Sequence, residues 1–155
     1  MALSLINAAS QGGVPAFSAY QSSAQTLTSG SNILLQFQTK EFDTASAFNN
    51  TGSTVGGIPA YAFQPTVAGY YQVSGGFAVT ATLQWINTFI FKNGSLFKIV
   101  YNSYTASVNA GYGSALVYLN GTTDYIQLYA QVGTGAALDA RSIATYFQAV
   151  LVRSA

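Results

Sequence analysis

The strongest constraint on the fold is a succession of short apolar segments that turn residues separate, from Pro15 to the end of the chain. No segment repeats its apolar residues with the 3.6-residue period of an amphipathic helix. Short segments in which apolar and polar residues partly alternate are typical of strands between turns. The sequence therefore predicts an all-β domain of about eight to ten antiparallel strands, arranged as a sandwich, a barrel or a jelly roll.

Two hairpins are the clearest local features. Leu83–Phe91 and Leu96–Tyr101 flank Asn93-Gly94, a pair that suits a type I′ turn because both central residues need a positive φ angle. Ala115–Leu119 and Tyr125–Val132 form the arms of the second hairpin. Hairpins of this kind predict strands that are neighbours in one antiparallel sheet.

Glycine-rich stretches mark two further positions. Gly75-Gly76 interrupts the strand predicted over Tyr70–Thr80, which indicates a bulge or a close approach of two backbones. Ser103–Gly113 is rich in small and polar residues and is predicted to be a loop.

Residues 1–14 are small and polar and are predicted to be an N-terminal arm, and residues 15–155 to be one domain.

Charged side chains are scarce, since the 155 residues include five Lys/Arg, four Asp/Glu and neither His nor Cys. A net charge of +1 without a basic cluster argues against nucleic-acid binding, which needs cations to neutralise phosphates. Cysteine is absent, so disulfides and thiolate metal sites are excluded. No apolar run reaches the roughly 18 residues that span a bilayer. The N-terminus lacks the basic segment of a secretory signal.

The candidate chemical groups do not form a catalytic set. Without histidine a Ser-His-Asp triad is impossible, and the acids Glu41, Asp43, Asp124 and Asp139 are scattered along the chain. Glu41 and Asp43 project on one side of an extended segment, which fits half of a calcium site. Two solvated carboxylates beside Lys40 are the simpler interpretation. We therefore predict a protein that is not an enzyme and needs no cofactor or metal.

Several short motifs follow one another in a recognisable order. They are Phe42-Asp43, then Tyr61–Tyr71, Phe91-Lys92-Asn93-Gly94, the hairpin within Ser114–Leu128, and Tyr146–Leu151. Tyr61–Tyr71 is similar to the pattern F-x-x-P-x-x-G-x-Y, with Phe63, Gly69 and Tyr71 in the matching places. This order resembles the trimeric jelly roll of the complement-type globular head and tumour necrosis factor superfamily. Two positions depart from the family: Thr122-Thr123 lengthen a turn, and Ala149 replaces the usual glycine.

The resemblance implies an antiparallel β-sandwich with jelly-roll topology that forms a homotrimer, in which apolar and aromatic residues meet along a threefold axis. It implies no activity, because related modules occur in secreted ligands, spore surfaces and bacteriophage particles. We name Phe147, Asp139 and Arg141 as candidate interface residues. The expected buried residues are Phe37, Phe63, Tyr71, Val73, Phe77, Trp85, Phe89, Phe91, Leu116, Tyr118, Ile126, Leu128, Phe147, Val150 and Val152.

The segment Tyr101–Tyr112 is a candidate recognition loop, in which Tyr101, Tyr104 and Tyr112 supply rigid amphipathic rings and Ser, Asn and Gly supply adaptable hydrogen bonds. The alternative is an ordinary polar loop that follows a core strand ending in Tyr101 and Tyr104. A near-neutral surface favours self-association, so we expect other copies of the chain to cover much of it.

Taken together, the sequence predicts a non-enzymatic structural protein of a bacteriophage particle. It would be a trimeric capsid decoration (cement) protein or a short fibre component, made in the host cytoplasm and located in the virion. Its expected partners are itself and the major capsid protein or another virion protein, with residues 1–14 reaching along the lattice. The alternative is a trimeric receptor- or glycan-binding head of a tail fibre. No stalk is visible in the sequence, which favours the structural role.

Overall fold

The computed structural model describes residues 13–104 and 107–155, and the predicted N-terminal arm lies almost entirely outside these ranges. The described residues form strands and no helix. The strands are β1 (Ala16–Tyr20), β2 (Thr26–Leu27), β3 (Ile33–Leu34), β4 (Thr39–Asp43), β5 (Gly69–Leu83), β6 (Ile86–Lys92), β7 (Ser95–Ser103), β8 (Val108–Leu119), β9 (Ile126–Val132), β10 (Ala136–Ala137) and β11 (Tyr146–Ser154).

Two antiparallel sheets pack face to face. The larger sheet has the strand order β4-β1-β11-β5-β8, and the smaller has the order β3-β9-β6-β7. Strands β10 and β2 form a separate pair. Non-consecutive strands are neighbours in both sheets, and the prediction of an all-β antiparallel sandwich with jelly-roll topology is confirmed.

The core between the sheets is built on phenylalanine. The ring of Phe17 stacks on Phe48 at 4.5 Å and on Phe63 at 4.6 Å, and it meets the edge of Phe147 at 5.0 Å. All four side chains are at most 2% exposed. Such pairs add about 0.5–1.5 kcal/mol each to the free energy of burial, so this cluster joins β1 and β11 to the loops before β5.

Glycine lets adjacent backbones approach within the larger sheet. A Cβ atom on Gly75 would lie 2.7 Å from the carbonyl oxygen of Tyr146, and one on Gly76 would overlap the carbonyl oxygen of Gly111. The register of β5 with β8 and β11 is regular here. Of the two predicted interpretations of Gly75-Gly76, close approach is therefore the correct one.

The predicted loop Ser103–Gly113 is wrong over its second half, because β8 begins at Val108. Its small residues are required by packing: a Cβ atom on Gly113 would overlap the backbone of Val100, and one on Gly111 would overlap the ring of Tyr101. Small residues in this strand thus permit close contact between β8 and β7, which a composition-based prediction takes for a turn.

The first predicted hairpin is present, because β6 pairs with β7. The second is wrong: β8 pairs with β5 and β9 with β6, so the turn between β8 and β9 connects the two sheets. Asn93 and Gly94 have φ angles of 53° and 77°, as a type I′ turn requires. The second turn is lengthened as the inserted threonines predict. There the Asn120 side-chain oxygen accepts hydrogen bonds from the backbone N–H groups of Thr122, Thr123 and Asp124, at 2.9–3.0 Å.

Most of the expected core is buried, but four of its members are not. Leu116, Tyr118, Val150 and Val152 are 42–61% exposed, and all four side chains lie on the outward side of the larger sheet. Trp85 and Phe91 are only half-buried. The error has a simple cause, since β8 and β11 carry apolar residues on both sides and only one side faces the opposing sheet.

Candidate functional site

The outward side of the larger sheet, hereafter the five-stranded face, is an extended apolar and aromatic surface. Along β5, Tyr71 and Val73 point into the core, and strand alternation therefore turns Tyr70 and Gln72 outward. The same alternation applies to the neighbouring strands. The face consists of Ala16, Ser18, Tyr20, Phe42, Tyr70, Gln72, Ser74, Tyr112, Ser114, Leu116, Tyr118, Tyr146, Gln148, Val150 and Val152.

Aromatic pairs stand at both ends of the five-stranded face. At one end the rings of Tyr112 and Tyr146 are stacked, 5.7 Å apart and 15° from parallel, and the Tyr112 hydroxyl donates to the Ala144 carbonyl at 2.8 Å. At the other end the rings of Tyr70 and Tyr118 lie 5.5 Å apart. These pairs hold their side chains in fixed positions at the surface.

Between the aromatic ends, the strand register sorts the side chains into two bands. One band is polar: Ser18 lies opposite Gln148, which lies opposite Ser74. In the other, Val150 lies opposite Gln72, which lies opposite Leu116. A shallow depression crosses both bands, and the residues that line it are Ala16, Phe17, Phe42, Gln72, Ser74, Gln148, Ala149 and Val150.

Apolar side chains on the five-stranded face are strongly exposed. Leu116 is 53% exposed, Val152 61% and Phe42 50%. Soluble monomers rarely expose contiguous apolar patches of large extent, and such patches commonly mark sites of protein–protein contact. The five-stranded face therefore has the properties of a surface that another protein covers.

The predicted interface residue Phe147 lies inside the sandwich instead. Its side chain has no exposed surface, and its ring contacts Phe17, Phe37 and Phe48. In β11 every second residue faces the core, so it is Gln148 and Val150 that reach the five-stranded face. Phe147 supports the strand that carries those residues and does not itself reach a partner.

Asp139 and Arg141 form an ion pair within the chain. The Arg141 guanidinium contacts the Asp139 carboxylate through Nη2 at 2.6 Å and through Nε at 2.9 Å. Hydrogen bonds from Arg141 lower the pKa of Asp139. The pair lies close to Tyr112, whose pKa is raised by burial first and then by Tyr146 and Asp139. It is therefore at the Tyr112 end of the five-stranded face, and an interface role for it is a proposal.

The three candidate recognition tyrosines do not share one loop. Tyr101 lies in β7 and packs against Gly111 inside the domain. Tyr112 lies in β8 and faces outward from the larger sheet. Tyr104 follows β7, is 68% exposed and contacts Trp85, with ring centres 5.8 Å apart. Of the three, Tyr104 alone belongs to an exposed connection, and the sequence reasoning missed its partner Trp85.

The acids have structural contacts. Asp43 pairs with Lys40 at 2.8 Å and accepts the backbone N–H groups of Ala47 and Phe48 at 3.0 Å. Glu41 accepts a hydrogen bond from the Ser18 hydroxyl at 2.6 Å. Within the described ranges, no three acidic side chains come together as a metal site.

Asp124 connects the Asn93-Gly94 turn to the turn between β8 and β9. Its carboxylate contacts the Lys92 ammonium at 2.8 Å, the Asn93 side-chain amide at 2.7 Å and the Asn120 backbone N–H at 3.1 Å. Burial raises the pKa of Asp124, but the hydrogen bonds from Lys92 and Asn93 outweigh it and leave that pKa below its ordinary value. Lys92 also donates to the Tyr118 carbonyl at 2.8 Å, so the network links the two sheets.

No protein-family model and no curated protein matches the chain. Solved structures match it over most of its length. A crystal structure of murine APRIL aligns with a TM-score of 0.65 at 10% identity, over 90% of this chain and 100% of that one. Eiger TNF from S. frugiperda aligns with a TM-score of 0.66 at 10% identity, over 92% of this chain and 94% of that one.

The chain has a tumour necrosis factor-like jelly-roll fold. The resemblance predicted from the order of motifs is thereby confirmed. PRD1 vertex protein P5 has the same architecture, with a TM-score of 0.57 at 13% identity, over 91% of this chain and 99% of that one. These identities indicate a shared fold, and the fold alone does not choose between secreted ligands and virion proteins.

Within the described residues, no helix has the length and apolar character that crossing a membrane requires.

Proposed function

We propose that the chain is a non-enzymatic structural protein of a bacteriophage particle, which assembles as a homotrimer through the five-stranded face. In the particle it serves as a capsid decoration (cement) protein or as a short fibre component. It is made in the host cytoplasm and becomes part of the virion, where it contacts the major capsid protein or another virion protein.

The observation that carries this proposal is the exposed apolar surface of the five-stranded face. Burying apolar area contributes about 25 cal/mol per Å², so covering side chains such as Leu116, Val150 and Val152 favours association. In the polar band in the middle of the face, Gln148 is exposed and Ser74 is half-buried, and these side chains supply hydrogen bonds that fix the relative position of the copies.

The placement in a particle rests on two further observations. The fold is shared with the PRD1 vertex protein P5, and the chain carries only nine charged residues, five basic and four acidic. A surface dominated by uncharged polar groups suits permanent contact with other neutral protein surfaces, because such contacts desolvate few charges.

Charge placed on the five-stranded face tests the assembly step. Leu116→Lys introduces an ammonium at a position that is 53% exposed in the single chain, so the fold tolerates it while a buried interface does not. Val55→Lys, at a loop position that is also 53% exposed, is the matched control. We expect Leu116→Lys to sediment as a monomer and Val55→Lys as the native assembly. Equal assembly of both variants would remove the five-stranded face from the proposal.

The particle assignment has a separate test. Mass spectrometry of particles purified from the virus or prophage that encodes the chain is expected to find it at a fixed ratio to the major capsid protein. The Leu116→Lys variant is expected to be depleted from particles, whereas Val55→Lys is retained. Particles that lack the native chain, while the trimer forms normally, would contradict the virion role and leave the assembly step intact.

A further inference from the structure

The outward side of the smaller sheet, hereafter the four-stranded face, ends in an aromatic pair. Strand register sets Ile86 opposite both Val132 and Ser103. One residue further along, Trp85 is placed beside Gly133 and Tyr104. The Gly133 backbone N–H donates to the Trp85 carbonyl at 3.0 Å, and the Trp85 and Tyr104 rings are 5.8 Å apart.

The indole ring of Trp85 lies directly on the backbone of Gly133. A Cβ atom at Gly133 would lie 2.5 Å from Nε1 and 2.7 Å from Cδ1 of Trp85, so only glycine admits the ring in this position. Tyr104 is 68% exposed and inclined by 34° to the indole. The two rings form an angled platform at the surface, and the Gly133 backbone supports one of them.

A row of amide side chains adjoins the platform. The register sets Asn87 opposite both Gln131 and Asn102, and alternation puts Asn87 on the same side of β6 as Trp85. The Asn87 amide nitrogen donates to Gln131 Oε1 at 3.2 Å, while Asn102 is exposed. Neither the row nor the platform contains a charged residue.

The amide row contains an unsatisfied acceptor. Asn87 is 3% exposed, and its Oδ1 has no hydrogen-bond partner among the residues that the structure describes. A buried polar atom without a hydrogen-bond partner destabilises the fold. A hydroxyl donor that settles against the amide row would supply the missing hydrogen bond, so this atom points to a ligand rich in hydroxyl groups.

We propose that the Trp85–Tyr104 platform and the amide row bind a neutral saccharide. The rings provide flat apolar surfaces for the C–H faces of a pyranose, and the amides of Asn87, Asn102 and Gln131 exchange hydrogen bonds with its hydroxyl groups. The absence of charged residues from the platform and from the amide row favours a neutral sugar over an anionic one. This activity goes beyond the assembly role, and it lies on the opposite sheet from the five-stranded face.

The single tryptophan makes the test direct, because Trp85 is the only one in the chain and its fluorescence reports on the platform alone. The full chain is titrated with maltohexaose, cellohexaose, xylohexaose and chitohexaose, with polygalacturonate as the anionic comparison, and a glycan array extends the set. We expect a saturable change in fluorescence with at least one neutral glycan. No binding to any neutral glycan on the array, or binding to anionic glycans only, would overturn the proposal.

Variants locate the binding. Tyr104→Ala is expected to weaken saccharide binding about tenfold, which corresponds to the loss of about 1.4 kcal/mol of binding free energy. Tyr104→Phe keeps the ring and is expected to keep the affinity. Asn102→Ala is expected to weaken binding less. Phe97→Ala, a control at an exposed aromatic of β7 outside the platform, is expected to bind normally. Sedimentation checks that each variant keeps the native assembly, and full affinity in Tyr104→Ala would contradict the assigned site.

Discussion

The two outward faces of the sandwich differ in what covers them. On the four-stranded face, Phe89 is only 6% exposed, Phe91 and Tyr129 stack at 4.1 Å, and Gln127 donates to the Ala60 carbonyl of the loop before β5. On the five-stranded face, Leu116 and the other large apolar side chains stand uncovered.

The difference indicates that the two faces of this charge-poor sandwich have different functions. The chain's own loop and neighbouring rings cover the middle of the four-stranded face, whereas Leu96 and Ile99 on its edge strand β7 are 52% and 54% exposed. Its Trp85–Tyr104 end is open to a small ligand. The five-stranded face receives no such cover from its own chain, so a partner of comparable area is needed to remove its apolar groups from water. We therefore assign assembly to one sheet and saccharide recognition to the other.

The largest expected effect is a loss of folding stability, and it comes from the core-facing side of β11 and not from its outward side. Phe147→Ala leaves a cavity among Phe17, Phe37 and Phe48, and such truncations cost about 3–5 kcal/mol of unfolding free energy. Val150→Ala, three residues further along β11, removes a side chain that is 42% exposed. Chemical denaturation is expected to show a large loss of unfolding free energy for Phe147→Ala. Sedimentation is expected to show weaker assembly for Val150→Ala. Equal losses of folding stability would contradict the different roles of the two sides.

A smaller effect is expected at the link between the two sheets. Asp124→Asn removes the charge that Lys92 and Asn93 contact, and losing such charged hydrogen bonds costs about 1–3 kcal/mol. Because the folded pKa of Asp124 lies below its unfolded value, its contribution is full above the unfolded value and is lost as the pH falls through the folded one.

Thermal melts between neutral pH and the acid range check this expectation. The native chain is expected to lose stability on acidification, and Asp124→Asn to lose less over the same range. Asp139→Asn is the comparison variant, because Asp139 pairs with a guanidinium that is 70% exposed. The pKa of Asp139 is also lowered, so this variant is expected to reduce the acid dependence, but by less than Asp124→Asn. An unchanged pH dependence in Asp124→Asn would show that the link contributes nothing.

The smallest expected effect is confined to the four-stranded face. In Gly133→Ala the new Cβ atom displaces the Trp85 ring, at a cost of about 0.5–1.5 kcal/mol if the ring leaves its preferred rotamer. We expect a changed tryptophan emission spectrum, weaker saccharide binding and an unchanged assembly mass. A change in the assembly mass would break the separation of the two faces.

The architecture was predictable because its signals are local. The Asn93-Gly94 turn follows from two residues that are adjacent in the sequence. Gly75-Gly76 indicated either a bulge or a close approach, and only the pairing with β8 and β11 decides between them. The side of each strand that the core covers was less predictable. In Ala115–Leu119 every residue is apolar, so the sequence gives no alternation that would tell Val117, which is buried, from Leu116, which is exposed.

The platform was missed for a related reason. Trp85, Tyr104 and Gly133 come from three separate parts of the chain, and cross-strand register brings them together. The one usable signal was the single tryptophan, which was assigned to the core although indole rings are rarely buried completely. The tyrosine segment was noticed by composition, but its two ends belong to strands of different sheets.

Sedimentation equilibrium over a wide range of protein concentrations tests the central claim most directly. If copies of the chain meet through the five-stranded face as a trimer, the mass is three times the 16.3 kDa of one chain. It is expected to hold on dilution and to fall to one chain in Leu116→Lys. A native protein that sediments as a 16.3 kDa monomer at every concentration would contradict the account.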